Sequence, residues 1–155
     1  MRIVAAAALA VAATALTAGT AAASPAGKLD SQLTGNVRID SSDATVAYVD
    51  ARYICEGGDG AHVWVSVKQA ASRLPDRSLS GEGSSGVSAA WSQSHANTVT
   101  CDGAWHAGTF VVDQTEAGWG TLQPGQAWVQ FCVIPPGADP DAGGITWSKR
   151  FASVK

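Results

Sequence analysis

Three cysteines and three histidines are the side chains of this 155-residue chain best suited to holding a metal or attacking a substrate. Two of the histidines, His95 and His106, flank Cys101, while His62 follows Cys55. A Cys/His₂ set resembles a copper site in outline, but such geometry ordinarily adds an axial methionine, and Met1 is the only methionine in the chain. A thiolate ligand also requires an unpaired cysteine. The histidines therefore read as residues near strand ends and turns, and no metal is expected.

Nucleophilic catalysis needs a base beside the nucleophile and a third group that orients it. No G-x-S-x-G elbow or other local signature selects such a trio, and most of the aspartates lie in turns, where they cap backbone groups. No catalytic residue is therefore assigned, and the chain is not expected to be an enzyme. The run Gly81-Glu82-Gly83-Ser84-Ser85-Gly86 spells G-x-G-x-x-G. It lacks the preceding strand and following helix that a dinucleotide site requires, so no cofactor is expected. Asp139 and Asp141 are spaced as in a calcium loop, but Arg150 occupies the twelfth position where a bidentate acid belongs. A solvated turn is the simpler reading.

Tryptophan is the unusual residue, with six in the chain: Trp64, Trp91, Trp105, Trp119, Trp128 and Trp147. Indoles on an exposed strand face can stack on sugar rings or on a protein partner. Trp64 and Trp128 are the candidates for such ligand binding, because each falls out of phase with the apolar residues of its own segment.

The elements that must position these side chains are strands. Val49, Ala51, Tyr53 and Cys55 alternate with more polar neighbours, as do Val63, Val65 and Val67, and Ala127, Val129, Phe131 and Val133. A period of two places each set on one strand face. Val87, Ala89 and Trp91 suggest another inward set. Strands are expected over residues 36–40, 46–56, 61–69, 86–92, 97–101, 105–113, 126–134 and 145–154, separated by Gly-, Asp- and Pro-rich turns. Eight short strands suit an all-β, two-sheet antiparallel sandwich.

The first 23 residues set the compartment. Arg2, an Ala-rich apolar run and the small residues Ala21-Ala22-Ala23 have the form of a cleavable signal peptide, with the mature chain starting at Ser24. The organisation read from the chain is thus signal peptide 1–23, flexible segment 24–34 and β-sandwich 35–155. A secreted, extracellular protein is expected, with no membrane association after cleavage. Its mild net charge of −3, without a basic cluster, argues against nucleic acid, which requires several phosphates to be neutralised. In an oxidising compartment, two inward cysteines on different strands form a disulfide most simply. Cys55 and Cys101 have inward parity, whereas Cys132 is out of phase with Phe131 and Val133 and is expected to remain a free thiol facing away from the core. The Cys55–Cys101 bond would close a loop of about 46 residues and stabilise the fold by about 4 kcal/mol in the chain-entropy account.

Tyr53-x-Cys55, the Val63-x-Val65-x-Val67 run with Gln69, Cys101-Asp102-Gly103 and Pro124-Gly125-x-Ala127-x-Val129 together resemble a family of small secreted actinobacterial β-sandwich proteins. The resemblance implies an immunoglobulin-like sandwich with a disulfide and no assigned activity. The chain departs from true immunoglobulin domains in lacking a Tyr two residues before Cys101. It is similar in size and class to enediyne-carrying apoproteins, but those have two disulfides, which three cysteines cannot form. The functional expectation is a non-catalytic extracellular module with an unknown ligand, polysaccharide or protein. Alternatives are a glycan-binding module using surface Trp, or an inhibitor presenting the loop 135–144 to a secreted enzyme.

Overall fold

A computed structural model describes residues 28–81, 84–96, 99–138 and 144–155. The expected signal segment 1–23, Glu82, Gly83, Asp139 and Asp141 lie outside the described residues.

The fold is all-β. Among the described residues eight strands follow one another: β1 (Asp30–Ile39), β2 (Ala47–Ile54), β3 (His62–Gln69), β4 (Ala90–Ala96), β5 (His106–Val112), β6 (Ala117–Trp119), β7 (Gly125–Ile134) and β8 (Thr146–Val154). They hydrogen-bond in the order β5-β2-β1-β8-β7-β3-β4-β6 and curl into a half-barrel. All but one of the pairings are antiparallel. The exception is a short parallel seam between β1 and β8 at Val37↔Val154, closed by bonds from Ile39 N to Lys155 O and from Lys155 N to Val37 O. The expected two-sheet antiparallel sandwich thus becomes one continuous mixed sheet, because β1 bonds on both sides. It pairs with β2 along its length, with a register irregularity between Leu33 and Val37, and then reaches β8.

The alternating residues of β2, β3 and β7 pack as their period demands. Val49, Ala51, Tyr53, Val63, Val65, Val67, Ala127, Val129, Phe131 and Val133 are all buried in one cluster. Phe131 sits at its centre, 4.8 Å from Phe110 and 6.4 Å from Tyr53 by ring centroids.

Four expectations about elements are corrected. β1 begins at Asp30, so residues 30–33 are paired strand where a flexible segment is read from sequence. The segment 86–92 is strand only from Ala90, because Ser84–Val87 forms a 3-10 turn. Its inward residues are Ala90 and Ser92, while Val87 is exposed and Trp91 points outward. Residues 99–101 are not strand. β6 was not anticipated: it is three residues long, too short to show a period.

Cys55 and Cys101 are bonded, with α-carbons 4.6 Å apart, in agreement with the pairing read from parity. The bond does not cross the core between facing strands. Cys101 lies in the segment leading to β5, where Gly103 N donates to Cys55 O and Gly58 N to Cys101 O. The bridge Glu56↔Asp102 continues the ladder. The disulfide therefore braces the exit of β2 against the entry to its neighbour β5.

Candidate functional site

Residues directly opposite in a ladder share a face, so the register of β6, β4, β3, β7 and β8 defines the outer face of this half of the sheet. One row across it is Trp119, Trp91, Lys68, Trp128 and Phe151. The next row includes Gln93, Ser66, Gln130 and Lys149, and a third is His95, Trp64, Cys132 and Trp147. Five of the six tryptophans therefore lie on one surface. The sixth, Trp105, is on the other side, with the Arg52 guanidinium 4.9 Å from its ring centroid.

The indoles are held by edge contacts and hydrogen bonds. Trp91 and Trp119 meet edge to face at 5.0 Å, as do Trp128 and Phe151. Trp91 Nε1 donates to Ser66 Oγ at 3.0 Å and Trp119 Nε1 to Ser88 O at 3.1 Å. Lys149 Nζ stands 3.6 Å from the Trp147 ring centroid, a cation–π contact. Trp147 is 50% exposed and Trp119 39%, whereas Trp64 and Trp128 are half-buried.

Polar side chains are buried among these indoles on the same face. Ser66, Lys68 and Gln130 are all buried. The β3–β4 connection crosses above Lys68, whose Nζ donates to Ser84 Oγ at 2.8 Å and Gly81 O at 3.3 Å. Ser84 Oγ donates in turn to Leu79 O at 2.7 Å. Leu79 is fully buried yet lies outside the central cluster, so it anchors this cover. The Gln130 amide differs from its neighbours. Both Oε1 and Nε2 are buried with no hydrogen-bond partner among the described residues, as is Trp128 Nε1 next to it on β7. Buried polar groups are ordinarily satisfied, and an unmet one costs about 1–3 kcal/mol.

The outer face of the other half has a different chemistry. Arg38 forms a two-pronged ion pair with Asp50, Thr109 Oγ1 donates to Asp50 at 2.6 Å and Arg52 Nε donates to Gln32 Oε1 at 2.6 Å. These exposed polar contacts satisfy one another, as on an ordinary solvated sheet face.

The sequence-derived site residues fall as follows. Trp64 and Trp128 share the outer face. Cys132, between Trp64 and Trp147 on that face, is outside the disulfide and buried, so its thiol is not presented for dimerisation. His95 contacts Glu116, and His106 Nε2 lies 2.8 Å from Asp102 Oδ1. Cys101 is consumed by the disulfide, and no three His, Cys, Asp or Glu side chains converge among the described residues. The loop 135–144 is described only in part. Sequence reasoning missed Trp91, Trp119, Trp147 and Gln130 as members of the tryptophan face. The alternation of β7 did place Gln130 outward, but only the β7–β8 and β4–β6 registers bring Trp147 and Trp119 beside it.

No helix among the described residues is long and apolar enough to cross a membrane. Comparison with protein-family models and with curated proteins finds no match to the chain.

Proposed function

We propose that this chain is a secreted, non-catalytic binding module whose tryptophan face takes a polysaccharide. The observation that carries this reading is five indoles gathered on one sheet face around the buried, unsatisfied Gln130 amide. Sugar rings offer an apolar face for stacking on indole and a rim of hydroxyls that can donate and accept. A purely apolar protein partner would leave Gln130 and Trp128 Nε1 without partners, whereas a polyol supplies both hydrogen-bond senses.

The compartment follows from the signal-like first 23 residues, and the disulfide is compatible with it. The resemblance to small secreted actinobacterial sandwiches supports the same assignment. On this reading the half-barrel is immunoglobulin-like: β5-β2-β1 forms one layer and β8-β7-β3-β4-β6 the other. The short β1–β8 seam is then the place where the first strand passes between layers. N-terminal sequencing of exported protein should give Ser24 as the first residue.

The ligand is tested by titrating tryptophan fluorescence with soluble β-glucan, xylan, mannan and chitin oligomers. At least one should shift the emission, and Trp147→Ala should remove the response with little change in melting temperature, since that ring is half exposed. Replacing both Trp64 and Trp128 by Ala should also abolish binding. Silence from every polysaccharide, or a Trp147→Ala variant that binds as the parent does, would overturn the reading.

A further inference from the structure

Two of the outward indoles are placed to act together. Trp64 on β3 and Trp147 on β8 both lie opposite Cys132 of β7, so they share one row with a single strand between them. Neighbouring strands stand about 4.8 Å apart, which separates the two backbone positions by about 9.6 Å across the sheet. Cys132 is small and buried, so it does not rise between the rings. The Lys149 ammonium lies over one face of Trp147, 3.6 Å from its centroid, and steadies that ring while leaving it half exposed.

The row of Trp91 and Trp128 has the same spacing but is closed. Lys68 stands between those two indoles, and the β3–β4 connection crosses above it through Gly81 and Ser84. Trp91 and Trp128 are also each engaged edge to face, with Trp119 and Phe151. The open row has a polar neighbour as well. Gln130 precedes Cys132 by two residues on the same face of β7, about 6.6 Å along the strand. It is 1% exposed, and neither Oε1 nor Nε2 has a partner among the described residues.

We propose that this row takes a flat β-1,4-linked glycan laid across the strands, with one ring on Trp147, the next over β7 and the third on Trp64. The inference rests on the polysaccharide reading above and narrows it to a linkage. In such a chain each ring is turned over relative to the last, so alternate rings present the same face. Their two-ring advance matches the separation of the indoles. A β-1,3-linked chain curves and an α-1,4-linked chain coils, so neither lays alternate rings flat on two platforms of one sheet. The middle ring directs hydroxyls towards Gln130, whose amide donates to one and accepts from another. That amide is buried in the free protein, so its bonds form as the ligand shifts the side chains around it.

The test is calorimetric titration of the mature chain with cello-, manno- and chito-oligomers of two to six rings, beside laminari- and malto-oligomers of the same lengths. In at least one β-1,4 series the affinity should rise about tenfold from two rings to three, where the second indole is reached, and little beyond. The other two series should show no such step. Trp64→Ala should return the three-ring ligand to the affinity of the two-ring one. Gln130→Leu removes an unsatisfied buried amide, so the fold should be at least as stable, yet two- and three-ring ligands should weaken alike and the step should remain. The length series in the parent decides the matter even if Trp64→Ala does not fold. Silence from every oligomer and from the soluble polysaccharides would overturn the polysaccharide reading and this inference with it. Binding without a step at three rings, a step that Trp64→Ala retains, or laminari- or malto-oligomers that bind as tightly would overturn the linkage alone.

Discussion

Asp40 shows how much a single half-buried residue can organise. Its Oδ1 accepts from Ser42 Oγ at 2.6 Å, Ser42 N at 2.8 Å and Asp43 N at 3.2 Å, and its Oδ2 accepts from Tyr48 OH at 2.8 Å. All of these favour the charged form, the Ser42 hydroxyl most, and they hold the carboxyl down to about 2. The same contact raises the Tyr48 hydroxyl. Because the folded value lies below the unfolded one, of about 3.9, the contribution to stability is complete above the unfolded value and fades as pH falls towards 2. Carboxyl NMR titration should place Asp40 near that value, and Ser42→Ala should move it upward. Asp40→Asn should lower the Tyr48 titration and flatten the loss of stability between pH 5 and pH 2 in denaturant melts. An Asp40 that titrates as an ordinary aspartate would show that the turn is not closed by this carboxylate.

At the scale of elements, β6 depends on a backbone that only glycine supplies. Gly118 has φ 149°, and a Cβ there would collide with the Trp91 carbonyl oxygen. Gly118→Ala should therefore detach β6, destabilise the fold by more than about 1 kcal/mol and erase the Trp91–Trp119 exciton feature in circular dichroism. Gly81→Ala, where added atoms meet open space, serves as the near-neutral control. This element also marks how far the sequence could be read. β2, β3 and β7 were legible because each carries four or more residues of unbroken alternation that ends in the core. β4 misled because Val87, Ala89 and Trp91 alternate just as well, yet the 3-10 turn at Ser84–Val87 shifts the start of the strand and inverts its faces. The disulfide was legible from parity, but its place was not, since Cys101 sits in a connection rather than on a strand. The tryptophan face was legible at Trp64 and Trp128 alone. The rest depended on cross-strand register, which a single strand's pattern does not contain.

At the scale of the molecule, the two halves of the sheet share a short parallel seam, so their union rests on packing. Phe131 joins them from β7, fully buried against Phe110 of β5 and Tyr53 of β2. Phe131→Ala removes that contact and should cost about 3–5 kcal/mol. Replacing both Cys55 and Cys101 by Ala should cost a similar amount, about 4 kcal/mol, by freeing a loop of 46 residues in the unfolded chain. The two losses arise in different states, and denaturant melts distinguish them. The Phe131 variant changes the native core, so its midpoint should fall at nearly unchanged slope. The double cysteine variant lets the denatured chain expand and expose more surface, so its slope should steepen as its midpoint falls. A single transition seen alike by tryptophan fluorescence and by far-ultraviolet dichroism should persist in both variants, because the aromatic core makes the two halves one cooperative unit. A split transition in Phe131→Ala alone would instead assign that cooperativity to this one ring.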